Sequence, residues 1–299
     1  MRAAAILGLG SSARHLQPFA RCCDAVWQLG MPANPNDVEA VLIFGGDGTV
    51  HRHLLQLVKL GLPVLVVPHG SGNDFARALH LRSVDDALSA WRQFVSGRGN
   101  VRLVDLGVIA PVVSPDAGGA PAPHQPGAGR YFCCIGGVGL DVEIARRANR
   151  LPRALRRRGG YLLNLLPALS SFRPLGVRVE ASLEEAPLNA RYAGPAMVVA
   201  MANTPTYGGG IRIAPDARLD DGKLEVCLVE AMAKVRLLRL FPSAFAGRHL
   251  TFPEVRYFQA DRLRIETEKP SEVYADGEYV CSTPVEVRVE GGALRVIVP

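Results

Sequence analysis

The chain has 299 residues, 48% of them hydrophobic and 21% charged, with a formal net charge of +6 and a pI near 9.2. That length supports two domains, or one large one with a proper core, and the composition excludes fibrous and disordered classes. The Lys and Arg excess favours anionic partners such as phosphates, nucleic acid or acidic lipid headgroups, and no apolar run approaches the ~20 residues needed to cross a bilayer.

In chain order, "AAAILGLG" reads as a first strand, because its apolar part is too short and ends at glycines too soon for a secretory signal. "SSARHLQPFARCCDAVWQLG" reads as a helix whose end is not fixed, and "EAVLIFGG" as a second strand. "TVHRHLLQLVKLG" sets Val50, Leu54, Leu57 and Val58 at helical spacing, with Gly61 as its stop. "LPVLVVPHGSGND" is a continuous apolar strand ending in glycines, a pattern that suits a parallel sheet covered on both faces. "SVDDALSAWRQFVSG" follows as a helix capped by Ser83. Residues 1–105 are therefore expected to form a Rossmann-like α/β domain.

After "VRLVDLGVI" the stretch 111–130 is dense in Pro, Gly and Ala and reads as a flexible insertion, with "YFCCIGGVGL" resuming directly behind it. Short alternating segments such as "GVRVEA", "KLEVCLVE", "RLRIETE" and "VEVRVE" then argue a mostly antiparallel β-sandwich over 106–299. Helical stretches interrupt it at 141–169 and 235–246. The expected fold class is thus α/β plus β, with the active site in the cleft between the domains. The cysteines, Cys22-Cys23, Cys133-Cys134, Cys227 and Cys281, lack metal-finger or Cys-x-x-Cys spacing. The two adjacent pairs read as small buried residues and not as a disulfide framework, which points to a reducing cytoplasm.

Two glycine loops, "GGDGT" (Gly45, Gly46, Asp47, Gly48, Thr49) and "GSGND" (Gly70, Ser71, Gly72, Asn73, Asp74), follow consecutive sheet strands. Ligands of open α/β sheets bind beyond the carboxyl ends of the strands. Glycines there let backbone N–H groups approach phosphate oxygens, and the next helix presents its positive N-terminus. Asp47 is the odd residue, since an anion repels phosphate unless a cation such as Mg²⁺ mediates. The hydroxyls of Thr49 and Ser71 and the amide of Asn73 can add hydrogen bonds. The plainer reading is a pair of tight turns with Asp47 and Asp74 as helix caps.

The first loop with "PHGSGNDFAR" a short strand later resembles the catalytic domain shared by diacylglycerol kinases, sphingosine and ceramide kinases and soluble bacterial lipid kinases. The resemblance continues through "YFCCIGGVGLDVEIARRAN", "GGYLLNLL", "NTPTYGGGIRIAPDARLDDGKLEVCLV" and "YADGEYV", and so covers both proposed domains. It implies that both glycine loops hold the phosphates of ATP. It also implies that Glu278 is the base accepting the lipid hydroxyl's proton, with Asp276 assisting or holding metal. A carboxylate on a tight β-turn is rigidly aimed, although an Asp-Gly hairpin turn is also common without other duty. The "LDDGKL" loop resembles a family metal site, with the Asp221 carboxylate and the carbonyls of Arg218 and Lys223 as oxygen ligands for Mg²⁺ or Ca²⁺. The implied partner is a lipid substrate. "ARRANRLPRALRRRGGYLLNLLPAL" could touch anionic membrane from the cytoplasmic side or be a solvated helix face. No aromatic residues interleave its arginines, which argues against nucleic acid.

Departures from the family pattern are also visible. The first strand ends "GLGSSARH", so Gly8, Gly10, Ser11 and Ser12 stand where the family has Asn-Pro. The short separation between this first strand and "GGDGT" implies that a strand and a helix are trimmed, Arg52 follows His51 where an acid is usual, and the chain ends in a strand and not a helix. Two alternatives to a lipid kinase therefore stay open: a NAD kinase-like phosphotransferase, which also carries Gly-Gly-Asp-Gly-Thr, and a non-catalytic lipid-binding regulator.

Overall fold

The computed structural model describes residues 1–112, 129–151, 160–184 and 186–299. Most of the expected insertion (113–128) and the arginines at 153 and 156–158 lie outside the described residues. By backbone contacts the chain forms two compact units. One comprises Met1–Leu106, Leu219–Asp221 and Gly291–Pro299, the other Gly107–Arg218 and Gly222–Glu290. The sequence suggested a single break near residue 105, whereas 219–221 and 291–299 group with the first unit.

The first unit is a parallel α/β sheet. Its strands are β1 (Arg2–Leu7), β2 (Val26–Leu29), β3 (Ala40–Gly45) and β4 (Val64–Pro68), ordered β4-β3-β1-β2. Ala3 pairs with Ala40 and Val41 with Val64, and Val296 adds a further parallel pairing to Val64. The continuous apolar runs that predicted buried strands are buried throughout, Ala40 to Phe44 having no exposed surface at all. Helices α1 (Ala13–Ala20), α2 (Asp47–Leu60), α3 (Asp74–Ala78) and α4 (Val84–Val95) connect the strands. Gly61 closes α2 in the left-handed conformation at φ 61°, and Ser83 caps α4 in a reciprocal box with Asp86, both as expected.

One element differs. The helix expected over 11–30 stops at Ala20, and Val26–Leu29 is strand β2 instead. Val26 N–H donates to the Met1 carbonyl and Gly30 N–H to that of Ala5, which extends the sheet beside β1. Val26 and Leu29 are exposed on this edge, so the segment carries no burial rhythm that would mark it as a strand. The strand expected to be trimmed is therefore present in short form.

The second unit is mostly antiparallel. Strand β5 (Val101–Pro111) enters it at Gly107, followed by β6 (Arg130–Phe132), β7 (Ile135–Gly139), β8 (Leu175–Ser182), β9 (Asn189–Ala202) and β10 (Leu224–Glu230). Then come β11 (Val255–Ala260), β12 (Arg262–Thr267), β13 (Glu272–Ala275), β14 (Glu278–Ser282) and β15 (Val285–Ile297). The long β9 pairs with β8 along its first half, and its second half lies between β7 and β10. Val177 and Val179, Val199 and Met201, Val226 and Leu228, Leu263 and Ile265, and Val285 and Val287 alternate into one core. Each such side chain contributes about 1.5–3 kcal/mol by leaving water. The helical stretches are α5 (Leu140–Arg150), α6 (Gly160–Ser171) and α7 (Lys234–Ala244). No helix among the described residues is long and apolar enough to cross a membrane.

Candidate active site

In the first unit β1 has β2 on one side and β3 on the other, so the strand order reverses at β1 and β3. Such a switch point opens a crevice beyond the carboxyl ends of those strands. The loops after β1 and β3 meet there. Gly8 N–H and the Ser11 hydroxyl both donate to the Phe44 carbonyl, at 2.8 and 2.9 Å. Thr49 lies against both glycines: a Cβ added at Gly8 or Gly45 would stand 2.6 or 2.5 Å from its Oγ1. The shortened first loop thus still docks onto "GGDGT", although it lacks Asn-Pro.

The two glycine loops touch backbone to backbone. A Cβ on Gly70 would lie 2.4 Å from the Gly46 Cα, and one on Gly46 would lie 2.7 Å from the Gly70 Cα. Asn73, left-handed at φ 55°, closes its own loop by accepting from Gly70 N–H at 2.8 Å and donating to the Gly70 carbonyl at 2.9 Å. It is therefore not available to cap α3. Asp47 does so from the other loop, accepting from Asp74 N–H at 3.1 Å and Phe75 N–H at 3.0 Å. Two helix-terminal N–H groups thus meet the charge of the acidic residue among the glycines. Asp74 is buried and pairs with Arg77 at 3.0 Å. A Cβ on Gly48 would meet nothing within 4 Å, and Ser71 is exposed, so these two positions face open space. His69 packs edge-on to His15 at 4.5 Å, and burial together with His15 pushes its pKa below the ordinary value.

In the second unit Asp276 and Gly277 form the two-residue turn between β13 and β14, both at positive φ (50° and 84°), with Ala275 opposite Glu278. This is the Asp-Gly geometry that right-twisted hairpins favour. The Asp276 carboxylate accepts from the N–H groups of Cys133, Cys134 and Ile135 at 2.9, 2.8 and 3.2 Å. Its own N–H donates to the Ile135 carbonyl, and Asn149 of α5 donates to the Gly277 carbonyl at 2.7 Å. The turn is thereby fixed from several sides, while Glu278 itself is exposed.

The 218–223 loop holds the other expected ligands. In the first unit Leu219 accepts from Asp105 N–H, and Asp220 pairs with Arg102. Asp221 belongs to the same unit. Arg218 and Lys223 belong to the second unit, where Lys223 pairs with Glu184 at 3.6 Å.

Comparison with known proteins matches the two halves of the chain separately. Residues 26–109 match the diacylglycerol kinase catalytic domain, and residues 135–298, more than half of the chain, match the YegS C-terminal NAD kinase beta sandwich-like domain. A diacylglycerol kinase of Mycobacterium tuberculosis is 31% identical over 261 residues, 87% of this chain and 77% of that protein. The chain belongs to the diacylglycerol kinase family.

A Bacillus subtilis diacylglycerol kinase is 26% identical over 252 residues, 84% of this chain and 74% of that protein. Among solved structures, a diacylglycerol kinase of Bacillus anthracis shares the fold at a TM-score of 0.67 and 18% identity, over 100% of this chain and 96% of that one. An NAD kinase of Archaeoglobus fulgidus, solved in complex with ATP, shares it at 0.54 and 13%, over 100% and 93%. The kinase reading of the sequence and its α/β plus β-sandwich fold are both borne out.

Sequence reasoning missed Asp141, a buried acid in the first turn of α5. A Cβ on Gly137 would lie 2.2 Å from its Oδ2, and its Oδ1 has no hydrogen-bond partner among the described residues. Burial raises this diacylglycerol kinase family member's Asp141 to a pKa of about 7. The only local signal was an acid in the apolar run "GVGLDVEI". The basic run preceding α6 is partly neutralised: Glu143 takes Arg146 at 2.5 Å and Arg147 at 2.6 Å.

Proposed function

We propose that this protein transfers the γ-phosphoryl group of ATP to a hydroxyl of a diacylglycerol-like or sphingoid lipid. The observation that carries the reading is the meeting of two glycine loops beside the sheet's switch point. Their backbones touch at Gly46 and Gly70, and Gly48 opens outward at the start of α2. The first amides of a helix lack intrahelical partners and suit phosphate oxygens. Gly46, Gly48, Ser71 and Gly72 are the proposed contacts to the donor, with Asp47 and Asn73 holding the loops in shape.

Glu278 is the proposed base. It stands on a turn that Asp276 pins to the 133–135 backbone, which fixes where an accepted proton would go. Phosphoryl transfer of this kind needs positioning and charge compensation and no covalent intermediate, and Mg²⁺ bound with the nucleotide supplies that compensation. A second cation, at Asp221 and the carbonyls of Arg218 and Lys223, rests on their all-oxygen donor chemistry. The acceptor lipid would arrive from an anionic membrane, and Leu163 and Leu166, exposed three residues apart on α6, support contact on that side.

Purified protein, Mg²⁺, γ-labelled ATP and a panel of diacylglycerols, ceramides and sphingoid bases test this. Label is expected in a lipid phosphate. Label in NADP on adding NAD would favour the alternative suggested by the ATP-bound NAD kinase of the same fold. No label in any acceptor would leave a lipid-binding regulator.

A further inference from the structure

The pin beneath the Glu278 turn has a chemistry of its own. Cys133 and Cys134 are both buried, at 0% and 4% exposure, on the short connection between β6 and β7. Neighbouring residues of an extended chain point to opposite sides. Here, however, the two sulfurs converge to 3.9 Å, and Cys133 Sγ lies 3.4 Å from Asp276 Oδ2. One ligand atom from each of the three residues falls within 4.8 Å of the others.

These separations match a tetrahedral site. With Zn–S near 2.3 Å and Zn–O near 2.0 Å, a tetrahedron has an S···S edge of about 3.8 Å and an S···O edge of about 3.5 Å. Two edges of the observed triangle agree with those values, and the third is no longer than 4.8 Å. Asp276 is already oriented by three backbone N–H groups, as ligating carboxylates are by their outer partners. On Oδ2 the Cys133 thiol hydrogen stands where a cation would.

We infer that Cys133, Cys134 and Asp276 bind one thiophilic divalent cation of the zinc class, which staples the β13–β14 turn to the β6–β7 connection. Binding follows Zn²⁺ + 2 RSH → Zn(SR)₂ + 2 H⁺. The carboxylate and thiols carry −1 before the exchange, and the carboxylate, two thiolates and cation carry −1 after it, so no net charge is added to the interior. The fourth position is left for water. The site stands on geometry alone, and only its bearing on catalysis rests on the proposed role of Glu278.

The test uses the full chain carrying Cys22→Ala and Cys23→Ala, which removes the other adjacent pair, and titrates it with Zn²⁺ and with Cd²⁺. One cation per chain, a cadmium–thiolate absorption band, release of two protons per cation and a raised melting temperature are expected. Adding Cys133→Ala and Cys134→Ala should abolish the band and weaken binding by about tenfold or more. No band in the parent, or an equal band after those substitutions, would establish an ordinary buried thiol pair and overturn the site. If that variant does not fold, X-ray absorption of the zinc-loaded parent decides. Two sulfurs near 2.3 Å are required, and a shell of nitrogen and oxygen alone refutes it. None of these readouts involves phosphoryl transfer, so failure of the kinase reading would not register here.

Discussion

Asp47 joins the two glycine loops by accepting the Asp74 and Phe75 N–H groups at the start of α3, a duty that Asn73 cannot perform while it is bonded to Gly70. Replacing it by alanine should cost about 1–2 kcal/mol in chemical denaturation, the range of a lost helix cap, and Asp47→Asn should recover part of this. Unchanged stability in Asp47→Ala would contradict the capping role. The glycines offer a sharper contrast. Gly70→Ala drives a Cβ into the Gly46 backbone, where no side-chain rotation gives relief, so both stability and nucleotide binding should fall. Gly48→Ala meets open space and occupies a helical position, so stability should hold or rise by up to about 1 kcal/mol. Its nucleotide affinity, read by calorimetry, should nevertheless drop if phosphate approaches the backbone there. Retained affinity in Gly48→Ala would remove that residue from the donor site.

At the scale of elements, α5 places Asp141 inside the second unit with a pKa raised to about 7 by burial. A raised pKa stabilises the fold where the proton is held. That contribution is fully present below the ordinary carboxylate pKa of about 4 and is lost as pH rises through about 7. The melting temperature of the native chain should therefore decline across that window. Asp141→Asn, neutral at every pH, should flatten the profile and be the more stable form at pH 8. Superimposable profiles would mean that Asp141 is not the group responsible. The strands that enter the glycine loops, the cap at Ser83, the stop at Gly61 and the Asp276-Gly277 hairpin are local patterns, each fixed by neighbours a few residues apart. Strand β2 was illegible because Val26 and Leu29 lie on an exposed edge. The partners of Asp47 lie 27 and 28 residues downstream, and those of Asp276 lie 141 to 143 residues upstream. Such long-range bonds leave no trace in spacing, so the backbone amides that hold both carboxylates could not be read from the sequence.

Across the whole molecule, the chain passes between its two units four times, after residues 106, 218, 221 and 290. Strands β5 and β15 each contribute to both units, and so does the 218–223 loop. Family membership assigns a kinase to this architecture, and the proposed division of labour gives the donor to the loops of the first unit and proton removal to Glu278 of the second. One measurement tests that division most directly. Single-turnover transfer from γ-labelled ATP to a dispersed diacylglycerol is followed for the native chain and for Glu278→Gln, alongside calorimetric binding of ATP. A transfer rate lowered by about 10²–10⁴-fold in Glu278→Gln, with ATP affinity unchanged, is the expected result. A variant that transfers label at nearly the native rate would contradict it.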